Sequence, residues 1–259
     1  DSQTFGLYAP NIFNIQNITG LQAFSGAQRV NSRLIKQSAF ANASLGYKDM
    51  LFLDLSARND WASTLSFTEN SSYLYPSAGL TFLPSEAFEL PEFISFAKLR
   101  ASFAQVANEV PAFRTNPINT AAYSQVGINM ELPFTELNPE MQDSWEFGAD
   151  FRFLDSRINF SATYYQIDTR DQFLPMDAIL GTPYQVYYVN AGHVRNYGVE
   201  ITLGADVFET EDFTWNTNFN FTHNDNEIID LNETYNGQRN RIVGGGGEGY
   251  ETFIVQGGS

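Results

Sequence analysis

The sequence predicts an all-β fold, part of a large antiparallel transmembrane β-barrel of which about eight long strands are present. Three observations lead there. Apolar and polar residues alternate strictly over long runs, which gives each run one greasy face and one polar face, the period of a strand. The runs approach the roughly 9–11 residues that cross a bilayer at a tilt, against about 5–6 for an ordinary strand. The connections alternate between short and long, as they do where tight turns lie on one side of a membrane and loops on the other.

Residues 1–36 hold Asn, Gln and Gly without a sustained period and read as loop or strand remnant. A first strand over 37–47 sets Ala39, Ala41, Ala43 and Leu45 against Asn42, Ser44 and Gly46. After a tight turn at Lys48-Asp49, residues 50–61 return with Leu51, Leu53, Leu55 and Ala57 opposite Asp54, Ser56 and Arg58, a hairpin. A loop over 62–72 leads to a third strand with Leu74, Ala78, Leu80 and Phe82 on one face. The connection PSEAFELPEFISF can hold a helical turn, with Ser85 as its expected cap.

The fourth strand, 97–107, opposes Leu99, Ala101 and Phe103 to Lys98, Arg100 and Ser102. An irregular stretch, 108–143, holds four prolines. Then Trp145, Phe147, Ala149, Phe151 and Phe153 alternate with Ser144, Glu146, Gly148, Asp150 and Arg152. A tight turn at Asp155-Ser156 precedes Ile158, Phe160, Ala162 and Tyr164, interleaved with Asn159, Ser161 and Thr163. After a second long loop, 174–193, the seventh strand pairs Val199, Ile201, Leu203, Ala205 and Val207 with Glu200, Thr202, Gly204 and Asp206. The eighth puts Phe213, Trp215, Phe219 and Phe221 against Asn216, Asn218 and Asn220 and fades near Leu231. Residues 37–231 are therefore read as transmembrane strands with long extracellular loops, and 232–259 as a Gly-rich loop with the start of the next strand.

A net charge of -16 argues against nucleic acid and against a polybasic membrane-surface mode. Without Cys there are no disulfides, thiolate metal sites or Cys nucleophile. The first residues, DSQTFGLYAP, lack the charged and apolar regions of a signal peptide. The mean hydropathy of -0.26 decides nothing, because alternation along a membrane strand cancels in the mean.

Six segments resemble, in order, the SusC/RagA-type TonB-dependent transporters of the outer membrane of Bacteroidetes. They are YKDMLFLDLSARNDWAS, KLRASFAQVAN, LNPEMQDSWEFGADFRF, RINFSATYYQIDTRDQ, VNAGHVRNYGVEI and WNTNFNFTHNDNEI. The resemblance implies the middle and later strands of a barrel of about 22 strands, with a plug domain inside it that these residues do not include. It implies active uptake of oligosaccharides or peptides, a SusD-like surface lipoprotein as lid, and energy from a TonB-type protein pulling on the plug. Eight strands with two open edges cannot stand alone in lipid, since unpaired backbone groups there cost several kcal/mol each, so the chain is expected to belong to a longer barrel. Two other readings fit the same alternation: a structural or passive barrel acting as scaffold in a larger complex, and a soluble all-β binding domain.

The polar-face charges Asp54, Arg58, Lys98, Arg100, Glu146, Asp150, Arg152, Glu200 and Asp206 are candidates for the lumen. Arg58, Arg100, Asp150 and Arg152 are the expected substrate contacts; the plainer reading is that such charges pair with one another or with the plug. Tyr123, Tyr184, Tyr187 and Tyr188 in the loops could stack on sugar rings or anchor the interface. Asp225, Glu227 and Asp230 with Asn224 and Asn226 lack the spacing of a calcium loop and read as a solvated loop. Gly244–Gly247 lacks the ending of a phosphate loop. His193 and His223 have no ligand-like company. No nucleophile–base pair is readable, so no catalytic residue, metal or cofactor is assigned.

Overall fold

The computed structural model describes residues 33–66, 68–122, 125–133, 137–178, 181–230, 234–235 and 238–239. The expectations for 1–32, for Tyr123 and for Gly244–Gly247 lie outside them. In chain order come β1 (Lys36–Tyr47), β2 (Leu51–Ala62), β3 (Ser72–Phe82), the helical turn α1 (Pro84–Ala87) and β4 (Ile94–Asn108). The next connection holds β5 (Thr120–Ala122), β6 (Gln125–Gly127) and β7 (Glu131–Leu132). Then follow β8 (Glu140–Phe153), β9 (Ile158–Arg170), β10 (Phe173–Asp177), β11 (Val186–Asn190), β12 (His193–Glu209) and β13 (Thr214–Asp230). A two-residue ladder pairs β14 (Thr234–Tyr235) with β15 (Gln238–Arg239).

Eight strands make one sheet in the order β1-β2-β3-β4-β8-β9-β12-β13, every neighbour antiparallel. Its register holds the faces apart. One row across all eight reads Ser44, Asp54, Gly79, Ser102, Glu146, Tyr165, Gly198, Asn224. The adjacent row, on the other face, reads Leu45, Leu53, Leu80, Ala101, Phe147, Tyr164, Val199, His223. Because side chains alternate with period two, this pairing keeps the two faces distinct across all eight strands.

Among the described residues nothing lies over the apolar face. Leu45, Leu80, Leu99, Trp145, Leu203 and Phe221 are all exposed, Phe147 at 49% and Phe219 at 61%. An exposed apolar surface of this extent marks a face that meets a membrane or another protein surface, which argues against the reading as a soluble domain.

At one end of the sheet the turns are short. Lys48 and Asp49 both take positive φ, at 50° and 53°, and Met50 N–H donates to the Tyr47 carbonyl at 3.1 Å, so β1 and β2 join through a tight three-residue connection, 48–50. Leu154 to Ser156 have positive φ at the β8–β9 turn, closed by Arg157 N–H to the Leu154 carbonyl at 3.1 Å. At β12–β13 the Phe213 amide donates to Thr210 Oγ1 at 3.1 Å. Ser85 is not the cap of α1: Leu83 stands there and Pro84 opens the turn, its fixed φ and missing N–H suiting the first helical position. The Ser85 hydroxyl donates to the Ala97 carbonyl at 3.3 Å instead.

The buried core lies at the opposite end, among the loops. Ala62, Leu65, Tyr73, Val110 and Leu137 form one cluster; Met176, Tyr187, Val189 and Ala191 form another. The second belongs to a small sheet, β10-β11-β7, in which β7 joins β11 in parallel. The stretches 108–143 and 174–193 are thus more ordered than their composition suggests: β8 begins four residues before Ser144 at Glu140, and β12 already at His193.

Candidate functional site

The polar face of β4, β8, β9, β12 and β13 encloses a concavity of about 800 Å³. Its lining includes Arg100, Glu146, Thr163, Tyr165, Asn196, Glu200, Asn224 and Asn226. Two long side chains lie flat along its floor, and in each case a glycine makes the room.

Arg100 on β4 is registered with Gly148 on β8, which is registered with Thr163 on β9. The guanidinium crosses Gly148 and its Nη2 donates to Thr163 Oγ1 at 2.7 Å. A Cβ on Gly148 would overlap Nε, Cγ and Cδ of Arg100. The same guanidinium is 3.8 Å from Glu146.

Tyr165 on β9 repeats the arrangement one pair of strands along. It is registered with Gly198 on β12, itself registered with Asn224 on β13. The phenol crosses Gly198 and donates to Asn224 Oδ1 at 3.0 Å. A Cβ on Gly198 would stand 2.6 Å from the phenol oxygen and 2.5 Å from the His223 backbone carbonyl.

The remaining polar face is a mesh of short cross-strand bonds, the unit that holds neighbouring strands in register. Ser161 donates to Asp150 at 2.6 Å, Thr202 to Asn220 at 3.0 Å, Asn216 to Asp206 at 2.8 Å, and Ser44 to Asp54 at 2.6 Å. Lys98 stands 4.0 Å from Asp150.

The expected contacts scatter. Arg100 alone among them lines the concavity. Asp150 is engaged with Ser161 and Lys98, and Arg152 lies over the Phe96 ring, 5.2 Å from its centroid, nearer the short turns. Arg58 sits at the loop end, where its Nε donates to Asp60 Oδ1 at 2.8 Å. Asp60 is 0% exposed and also receives the Tyr75 hydroxyl at 2.7 Å and Lys36 at 3.1 Å; Lys36 in turn meets Glu109 at 2.6 Å. That group ties the edge of the sheet to the root of the long β4–β8 connection.

In the loops, Tyr187 is 5% exposed and belongs to the core of the small sheet, which leaves it no ring face for a ligand. Tyr184 is half-buried, and its carbonyl accepts Thr182 Oγ1 at 3.3 Å. Tyr188 stacks on Phe173, 4.6 Å between centroids, beneath the Arg114 guanidinium at 4.4 Å. Burial pushes its hydroxyl above the ordinary tyrosine value; Arg114 pulls it down and Glu131 adds to the rise. Arg114 Nη1 donates to both oxygens of Glu131, at 2.5 and 2.6 Å, a charge-assisted contact.

Asn224 to Asp230 are strand, not a solvated loop. Asn224 and Asn226 share the polar face, while Asp225 and Glu227 point the other way beside Tyr197 and Arg195. Above the apolar band that outer face becomes charged: Asp168 receives His193 at 2.7 Å and Arg195 at 2.8 Å, and Asp143 pairs with Arg170. Among the described residues no group of three or more His, Asp or Glu could hold a metal ion. Sequence reasoning passed over Tyr165, Gly148 and Gly198. The available signal was a glycine recurring at a polar-face position within an unbroken period-two run.

Comparison with known proteins gives a match to the family described as TonB dependent receptor-like, beta-barrel, over residues 2–254. TonB-dependent receptor P39 of Formosa agariphila is 30% identical over 208 residues, which is 75% of this chain and 19% of that protein. TonB-dependent receptor SusC of Bacteroides thetaiotaomicron is 36% identical over 93 residues, 36% of this chain and 9% of that protein. Among solved structures, the RagAB peptide importer in its open-open state superposes with a TM-score of 0.69 at 22% identity, covering 82% of this chain and 25% of that one. The chain therefore spans about a fifth of the length of its curated relatives P39 and P3, at 19% and 20%. A match running from the second residue almost to the last shows the family: this chain belongs to the TonB dependent receptor-like β-barrel family.

Proposed function

We propose that this chain forms part of the wall of an active importer that takes oligosaccharides or peptides across the outer membrane. The observation that carries the reading is the division of one continuous sheet into an exposed apolar face and a concave polar face. In a closed barrel the first meets lipid and the second lines the passage. Phe147, Phe151, Phe160, Leu203 and Phe219 then face the bilayer, and Asp150, Asn159, Thr202 and Asn218 the lumen. The long connections, with their own buried clusters, stand outside, where a SusD-like surface lipoprotein closes over them as a lid. Energy arrives through a TonB-type protein acting on a plug domain outside these strands. Residues 37–231 supply strands and loops; the expectation for 232–259 lies almost wholly outside the described residues.

Support comes from SusC among the relatives and a peptide importer among the structures of like fold. The test is a deletion of the full-length gene in its own host. Loss of growth on one class, oligosaccharide or peptide, with restoration by the intact gene and abolition by a protonophore, is the expected outcome. Uptake that survives removal of the gene or of the energy-coupling protein would leave a passive or structural barrel as the better reading.

A further inference from the structure

We propose that Tyr165, seated over Gly198, is a specificity-determining contact for a neutral hydroxylated ring, a sugar unit, moving along the wall. The inference rests on the import reading above and narrows it to a position and a chemistry.

Three features of the concavity point there. The first is the ring itself. A tyrosine standing up from a strand would present an edge, whereas the phenol here crosses a glycine and is tied to Asn224 Oδ1 at 3.0 Å. It is half-buried, so the side of the ring away from Gly198 is open to the concavity. A pinned aromatic face of low rotamer freedom loses little entropy when a flat apolar surface stacks on it, and a sugar ring offers such a surface on its C–H side.

The second feature is the rim of amides and hydroxyls. Asn196 uses its amide to donate to Asn226 Oδ1 at 2.5 Å and keeps its carbonyl. Asn226 and Asn224 each accept on their carbonyl and keep their amides. Thr163 accepts from Arg100 and keeps its hydroxyl proton. Three donors and an acceptor thus stand free in the same concavity as the ring, the kinds of group that hydroxyls bind.

The third feature is charge. Among the described residues the lining carries one cation, Arg100, against two carboxylates, Glu146 and Glu200, a balance of +1 − 2 = −1. Arg100 is also committed to Thr163 and lies near Glu146. An anionic sugar lying against this lining would meet a net like charge. A neutral ring meets none. The two glycines set the clearance, because a side chain at either would lift Arg100 or Tyr165 off the wall and narrow the passage.

The experiment uses the full-length transporter purified from outer membranes with any partner lipoprotein that accompanies it. The probes are fluorescently labelled neutral hexaoses of glucose, mannose and xylose, a hexamer of galacturonic acid, and a mixed pool of eight-residue peptides. The expected result is binding of at least one neutral hexaose and not of the galacturonate hexamer. Tyr165→Ala should weaken that binding about tenfold or more, as loss of a central aromatic contact does, with Tyr165→Phe weakening it less. Gly198→Ala should weaken it too; if that variant does not fold, the two tyrosine variants carry the test, each first checked for the shift in gel mobility on heating that marks a folded barrel. Unchanged neutral-hexaose binding in a folded Tyr165→Ala protein overturns the proposal, and so does preferential binding of the galacturonate hexamer. Binding of peptides alone overturns it while the import reading stands. A transporter that binds no probe, and whose deletion affects uptake of neither class, removes both.

Discussion

Arg100 reaches over Gly148 to Thr163, two strands away, and so joins three strands of the wall with a single side chain. Tyr165 does the same over Gly198 to Asn224. The two seats differ in what an added methyl group would meet.

At Gly148 the obstacle is the guanidinium arm, which can swing aside; at Gly198 it includes the His223 backbone carbonyl, 2.5 Å from an added Cβ. Gly148→Ala should therefore cost little stability, within about 1 kcal/mol. Gly198→Ala should cost about 1–3 kcal/mol, the range for forced overpacking. Denaturant unfolding of the full-length barrel in lipid checks the order. Equal costs would mean that the backbone relaxes freely at Gly198.

Charge placed on the two faces should be tolerated unequally. Phe147→Arg sets a guanidinium in the apolar band and should cost about 2–4 kcal/mol, whereas Ser102→Arg, on the polar face of the neighbouring strand, should not. Cysteines at Phe147, Phe151, Phe160, Leu203 and Phe219 should react with a lipid-soluble reagent, and those at Asp150, Asn159, Thr202 and Asn218 should not. Equal labelling would reverse the assignment of faces.

The loop ends should all lie outside the cell. Antiparallel neighbours reverse direction, so alternate connections emerge on one side. Epitope tags after Asn119 and Thr182 should bind antibody on intact cells, and one after Ser156 should not. Staining at Ser156 alone would invert the barrel.

Tyr188 should make the long connections sensitive to strong base. Burial raises its folded value above the unfolded one, so its contribution is complete below about pH 10 and is lost as pH rises through the raised value. Protease cleavage near β11 should accelerate above about pH 10 in the native protein. In Tyr188→Phe, which keeps the stack on Phe173 but has no proton to lose, that acceleration should be weaker. Identical profiles would show that another group controls the loop.

All eight wall strands were legible because period-two alternation needs no knowledge of partners. Register was not: that Arg100 faces Gly148, or Tyr165 faces Gly198, depends on which strand lies alongside and in what phase. Loop tyrosines resisted for a related reason. Tyr187 and Tyr188 are neighbours in sequence and point opposite ways in β11, and only its pairing with β10 and β7 says which is buried. Pro84 overrode the Ser85 cap through local chemistry that the sequence did contain. The charges at Arg58 and Arg152 were placed on the correct face but at opposite ends of the strands, a distinction alternation cannot make.

The buried clusters at the loop end give this molecule two solvents. Leu65, Val110 and Leu137 pack as in any water-soluble core, while Phe147 and Phe219 are exposed and in the proposed barrel would meet hydrocarbon. Agents that act through water and agents that thin or replace the bilayer should then attack different halves of the same chain. The ectodomain-like cap could loosen while the wall beneath it holds, and a strand needs its neighbours and lipid together before its outward aromatics have anywhere to go. Melting followed by a probe in the loops and by one in the strands should give two transitions, separable by changing the detergent alone.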